Sequence, residues 1–360
     1  QVTVSVLYWR ATMDGLRLRL RLYLRLSETR ALMLLVAQCF AYVGVVMTLG
    51  VPSAPWAMCV AASVVASCAL QRWVASGCGR SAVFSRRSEE ELPGALAVVT
   101  DVDDPVAFEV ARELASRGAT VVCTAADSQR GGDAVASLRH CVPEATVRFL
   151  PLDFADGDAV DGFIRLLPAV VGKSSLKHVT VEYLVFAGAW RRPPCGASKM
   201  SPVGFAEWQM AVCHDGPAAL ARALEPCVRF AHRRRGGRVV FRCGPAHIGA
   251  ADHHANALPA DAYGAAAFRT ARLVADLAAG GINSFAAHPG VLGTGPSLLV
   301  AKTPQESAQT LLHCCVGPLS SRTREQTVPD GSSWVVRGGF YADARLANTV
   351  RDPNAFHQAA

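Results

Sequence analysis

From residue 95 to residue 316, short apolar runs alternate with longer amphipathic stretches, and this rhythm limits the fold more than any other feature. Strands are expected at 95–100, 120–124, 146–152, 178–187, 238–243 and 281–288. Helices are expected at 105–116, 205–231, 263–279 and 304–313, with Gly118 closing the first of them as a C-terminal cap. Strands that return to one sheet through a helix pair in parallel, and a parallel sheet must be covered on both faces. The chain therefore reads as an α/β protein with a doubly wound parallel sheet across residues 93–360.

A different pattern precedes this body. Residues 16–26 alternate Leu with Arg almost strictly, which puts the two residue types on opposite sides of an extended chain. Residues 31–50 and 56–70 contain no charged residue, and the first run has about the 20 residues needed to cross a bilayer as a helix. Pro52 and Pro55 break the helix between them. Arginines flank the pair on its outer sides (Arg25, Arg30, Arg72, Arg80), and the loop between is uncharged. The positive-inside rule then favours a transmembrane helical hairpin with both ends on one side. The expected organisation is an Arg-rich arm (1–30), a membrane segment (31–76), a polar linker (77–92) and the α/β body (93–360).

The net charge of +7 is read as membrane-surface charge, since no aromatic-plus-basic stacking pattern of a single-strand binder is present; no nucleic-acid partner is expected. The 12 cysteines include no CxxC pair, and neither Asp252-His253-His254 nor His232-Arg233-Arg234-Arg235 has partners at metal spacing. No metal site is expected, and the thiols read as free.

The turn after the first strand is Thr100-Asp101-Val102-Asp103-Asp104-Pro105-Val106-Ala107. An aspartate cap with proline in the first helical turn is a stable helix start in its own right. Further on come Ala111-Arg112-Glu113-Leu114, Arg117-Gly118-Ala119, Arg130-Gly131, Leu152-Asp153, Ala187-Gly188, His288-Pro289-Gly290-Val291, Gly338-Gly339-Phe340-Tyr341 and Arg351-Asp352-Pro353. In order and spacing these resemble the short-chain dehydrogenase/reductase family, specifically its retinol-dehydrogenase-like members, over residues 92–354.

That resemblance implies a Rossmann-like fold and a TGxxxGxG phosphate loop, in which glycines let a pyrophosphate approach the backbone at a helix N-terminus. Here Thr100 survives, while the three glycines become Asp101, Pro105 and Ala107. Proline removes a donor, and Asp101, Asp103 and Asp104 place negative charge where an anion would sit. The resemblance also implies a catalytic Asn, Ser, Tyr and Lys. These positions hold Cys213, Gly244, Tyr263 and Ala267, so only the tyrosine remains. A phenol needs a nearby cation to work in proton transfer near neutral pH, and Ala267 supplies none. Residual cofactor contacts implied by the family are Asp153, Gly188, Pro289, Gly290 and Thr294, with Arg130 on the adenosine side.

The resulting expectation is a non-catalytic, membrane-anchored accessory subunit of a larger membrane complex. Its partners are other subunits and the lipid bilayer, and it has no cofactor. The alternative is a membrane-bound NADP(H)- or NAD(H)-dependent reductase or dehydrogenase of a lipid or retinoid-like carbonyl. An Arg-rich front that begins with Gln and not Met points to the mitochondrial inner membrane, with the endoplasmic reticulum as the alternative.

Overall fold

The computed structural model describes residues 92–188, 200–234, 236–244, 259–290, 292, 302–317, 319–320, 335–342 and 345–349, with isolated helical positions 37, 62, 65 and 66 before them. The arm, the rest of both uncharged runs, the linker up to residue 91, Asp252-His253-His254 and Thr294 lie outside these residues. Among the described residues no helix is long and apolar enough to cross a membrane.

Strand β1 (Leu96–Val99) leads into helix α1 (Pro105–Ser116), and β2 (Thr120–Ala125) into α2 (Ser128–Cys141). Then come β3 (Val147–Pro151), α3 (Ala159–Val170) and β4 (Tyr183–Phe186). Next are α4 (Pro202–Met210), a π-helical turn (Ala211–Asp215), α5 (Gly216–Arg234), β5 (Arg238–Arg242), α6 (Pro259–Ala279) and β6 (Asn283–His288). Helix α7 (Pro304–Val316) precedes short β7 (Leu319–Ser320) and β8 (Val335–Val336), then β9 (Gly339–Ala342) and β10 (Arg345–Thr349).

The main sheet has eight strands in the order β10-β9-β6-β5-β4-β1-β2-β3. Every neighbouring pair is parallel except β10 with β9. Side chains of β1 alternate between two cores: Ala97 and Val99 face the layer of α1, α2 and α7, while Leu96 and Val98 face that of α3, α5 and α6. From β1 the chain winds outward to β3, then crosses back to β4 on the other side of β1. A crevice therefore opens at the C-terminal ends of β1 and β4, the usual ligand position in such sheets.

Local chemistry explains the helix ends. Asp104 caps α1, accepting from the Val106 and Ala107 amides at 2.8 and 3.4 Å. Gly118 follows α1 at φ +88°, the left-handed conformation that glycine adopts most readily. Thr303 and Glu306 form a reciprocal capping box at α7.

Two sequence expectations require correction. The strand expected at 178–187 is confined to Tyr183–Phe186, because Leu176–His178 forms a 3₁₀ turn. Val179 and Val181 are buried by packing alone, so their apolarity resembled that of a strand. The helix expected at 205–231 is interrupted by the π-helical turn, which an unbroken apolar periodicity does not reveal. Helices α2 and α3 were not named from sequence. In α2, adjacent Gly131 and Gly132 dilute the pattern, and only Gly131, Val135 and Leu138 are buried.

Candidate active site

A cavity of about 230 Å³ opens at the C-terminal ends of β1, β4, β5 and β6. Phe186 and Phe241 stack on each other within its wall, ring centroids 4.5 Å apart. Helix α6 contributes Tyr263 and Ala267, the π-helical turn contributes Cys213, and the segment after β6 contributes His288, Pro289 and Gly290. Asp101 and Gly188 lie on the β1–β4 side. The fold thus gathers Tyr263, Cys213, Gly244, Ala267, Asp101, Gly188, Pro289 and Gly290 around one space. Asp153 is not among the lining residues. It lies in the turn after β3, accepting from the Ala155 amide at 3.0 Å.

The four positions expected to carry proton transfer, Cys213, Gly244, Tyr263 and Ala267, lie together at this cavity. A Cβ built on Gly244 would fall 2.6 Å from the Tyr263 hydroxyl, so the phenol leans into the space a serine would need. Burial pushes the Tyr263 phenol well above its ordinary value, with Cys243 and Cys213 adding to the rise. Arg242 and a backbone hydrogen bond to Gly244 pull the other way. Ala267 is 6% exposed, and its carbonyl accepts from the Cys243 thiol at 3.6 Å. Burial pushes that thiol up to about 12, so Cys243 remains protonated. Cys213 has its carbonyl facing the Thr270 hydroxyl at 3.5 Å, and His214 contacts the same hydroxyl at 3.2 Å. The kinked helix is thereby tied to α6.

The turn after β1, where the resemblance implies a phosphate loop, keeps a left-handed residue but holds acidic side chains. Asp101 has φ +60°, a left-handed turn that glycine adopts far more easily than an aspartate. Its carboxylate accepts from the Thr100 hydroxyl at 3.0 Å. It also packs where a side chain on Gly188 would be, since a Cβ there would fall 2.1 Å from Asp101 Oδ2. Gly188→Ala is therefore expected to cost about 1.5 kcal/mol of stability, read from the midpoint of urea unfolding. An unchanged midpoint would show that the loop adapts freely. The amides of Val106 and Ala107, placed to meet a phosphate, already donate to Asp104. Asp103 faces the exposed Arg130 at 3.4 Å. In this conformation a pyrophosphate would have to displace the Asp104 carboxylate from these two amides.

A cation that the spacing around Ala267 does not reveal, Arg242, reaches the cavity from the end of β5. Its guanidinium is 8% exposed and donates to Asp104 Oδ1 at 2.8 Å and to the Ala187 carbonyl at 3.0 Å. Among the described residues that line the cavity, it is the one permanent cation. The signal was present in the sequence: a charged residue directly after Val239-Val240-Phe241, where a buried parallel strand should stay apolar.

No protein-family model matches the chain. Human retinol dehydrogenase 12 is 27% identical over 66% of this chain and 79% of its own length. Mouse polyprenol dehydrogenase is 29% identical over 63% of this chain and 72% of its own length. A solved short-chain dehydrogenase from Pseudomonas syringae shares the fold with a TM-score of 0.50 at 19% identity, covering 63% of this chain and 90% of that one. These relatives overturn the expectation that no cofactor is involved. Both curated relatives are dehydrogenases along most of their length, and removing hydrogen from an alcohol requires an acceptor. They also favour the oxidoreductase alternative over the accessory subunit, and they give no support to a mitochondrial inner membrane assignment. Sheet order, motif order and relatives agree: the chain is similar to the short-chain dehydrogenase/reductase family, and in sequence to its retinol-dehydrogenase-like members.

Proposed function

We propose that the protein is a membrane-anchored reductase of an apolar carbonyl, working with NADP(H) or NAD(H). The observation that carries this reading is the cavity itself. It is bounded by stacked aromatic rings at the sheet's switch point and by the one tyrosine that can donate a proton. What the dinucleotide supplies when bound is hydride. The chain's own residues set the direction of the reaction. A phenol with a raised pKa cannot act as a base near neutral pH, because almost none of it is ionised. It can still donate to an alkoxide, which is far more basic than a phenolate. Tyr263 therefore suits carbonyl reduction better than alcohol oxidation. Arg242 opposes the rise in the Tyr263 pKa from the sheet side, but its charge is paired with Asp104 and burial outweighs it. With no hydroxyl at Gly244 to polarise the carbonyl, turnover is expected to be slow.

The test is NADPH and NADH oxidation by the full chain in detergent with a panel of hydrophobic aldehydes. Tyr263→Phe is expected to lower the rate about 100-fold with folding retained, the usual contribution of one general acid. Absence of turnover across the panel, together with absence of dinucleotide binding, would sink the reading. A non-catalytic subunit of a membrane assembly is then the second reading. It is favoured by the Tyr263 hydroxyl occupying the space of the missing serine.

A further inference from the structure

The end of the sheet opposite the cavity carries a feature that the oxidoreductase reading does not use. The chain arrives there at Leu92, whose amide donates to the Arg117 carbonyl at 2.6 Å beneath α1. Beside this arrival point lies a groove of about 440 Å³, formed by Gly94–Leu96, the segment after α3 and the end of α5. Lys173, Lys177 and His178 line it and are exposed, and Phe230 on α5 is 46% exposed beside them. The acid in the groove, Glu182, is buried and is spent internally, accepting from the Leu96 amide at 2.8 Å. Glu225 pairs with Arg229 one turn along α5. Glu144, in the loop before β3, is an exposed acid of this end.

Among the described residues, several acids gather at the cavity end. Asp103, Asp127, Asp153, Asp156 and Asp158 all sit in loops or helix starts at the C-terminal ends of the strands. Among the described residues, lysines thus gather where the chain enters at Leu92, while these aspartates stand at the cavity end beside Arg130 and Arg242.

We propose that the basic end, with Phe230 at its centre, rests against an anionic lipid surface. The inference rests on residues 31–70 entering the membrane, and it goes beyond the reductase reading. Two features choose lipid over other anions. The uncharged runs lie on the chain that arrives at this groove, so the tether holds this end near a bilayer at high effective concentration. An exposed aromatic ring among lysines is also the pattern that sits at a headgroup boundary, ring inward and cations outward. The cavity mouth then faces water, and an apolar carbonyl reaches it only after leaving the bilayer.

The test uses the full chain with Phe230→Trp, reconstituted into vesicles of brominated phosphatidylcholine with and without phosphatidylserine. The parent chain, with six tryptophans, supplies the background. Added fluorescence from position 230 is expected to be quenched in phosphatidylserine vesicles. Lys173→Gln/Lys177→Gln in the same background is expected to abolish that quenching and lower the preference for phosphatidylserine vesicles about tenfold. Absence of quenching at position 230, while the chain stays in the membrane pellet after an alkaline wash, would overturn the proposal and leave the anchor intact. Quenching that needs no phosphatidylserine and survives the lysine substitutions would also overturn it, since charge would not be what holds the face. A chain released by the wash removes the anchor and the proposal together. Turnover of aldehydes is independent of all three outcomes.

Discussion

Asp104→Ala is expected to weaken the fold and strengthen dinucleotide binding at the same time. The Asp104 carboxylate holds the first turn of α1 through two amides and neutralises a guanidinium that is 8% exposed. Loss of a side-chain cap costs about 1 kcal/mol. Stranding the partner of a buried ion pair costs about 3 kcal/mol or more. Both effects act through the same group, and Arg242 keeps its bond to the Ala187 carbonyl, so about 3 kcal/mol in total is expected from urea unfolding. The same change frees two amides at a helix N-terminus, removes a negative charge and leaves Arg242 facing the loop. Affinity for NADP(H), measured by calorimetry, is expected to rise about tenfold. Asp104→Asn separates the two effects. Asparagine caps as well as aspartate, so stability falls less, while the charge that opposes a phosphate is gone. Asp103→Asn is the control, since its partner Arg130 is 66% exposed and little depends on that pair. If Asp104→Ala loses stability without any gain in affinity, the carboxylate is a cap and nothing more, and the loop is closed to phosphate for another reason.

That prediction combines what could be read from the chain with what could not. Helix α1 was legible to the residue because Asp104, Pro105 and Gly118 are local signals, each acting on its own neighbours. The substitutions at Asp101, Cys213, Gly244 and Ala267 were also legible, because motif spacing survives when motif chemistry does not. What those residues do to one another was hidden. Gly188 and Asp101 are 87 positions apart, yet one is small because the other fills its space. Arg242 and Asp104 meet only because β5 and β1 flank β4. The break in the helix at Ala211–Asp215 leaves no mark on apolar periodicity, and the tie to Thr270 that accompanies it comes from a different helix. The conclusion about cofactor failed at this step. It gave the residues of one loop more weight than the resemblance to dehydrogenases along most of the body.

Acid is expected to destabilise this domain through one buried histidine. His313 lies on α7, 2% exposed, with its ring edge-on to Tyr341 at 5.7 Å. Burial, with the nearby Arg238 guanidinium acting in the same direction, lowers its pKa from the ordinary 6.5 to about 4. Arg238 is fixed there, donating to the Cys314 carbonyl at 3.0 Å, so it cannot turn away from the ring. The folded state therefore keeps His313 neutral, whereas the unfolded chain protonates it near its ordinary value. Between those two values the unfolded state binds the extra proton. Stability is present in full above about 6.5 and is lost as pH falls towards about 4. The gap corresponds to about 3 kcal/mol across that window. Urea unfolding at a series of pH values checks this, with His313→Phe as the comparison. The variant is expected to be less stable at pH 7 but to lose much less on acidification, because it has no proton to take up. His313→Gln gives a second comparison if the larger ring does not fit. If the parent and both variants lose stability in parallel between those values, the imidazole is not the group that binds the proton, and carboxylates elsewhere account for the acid sensitivity.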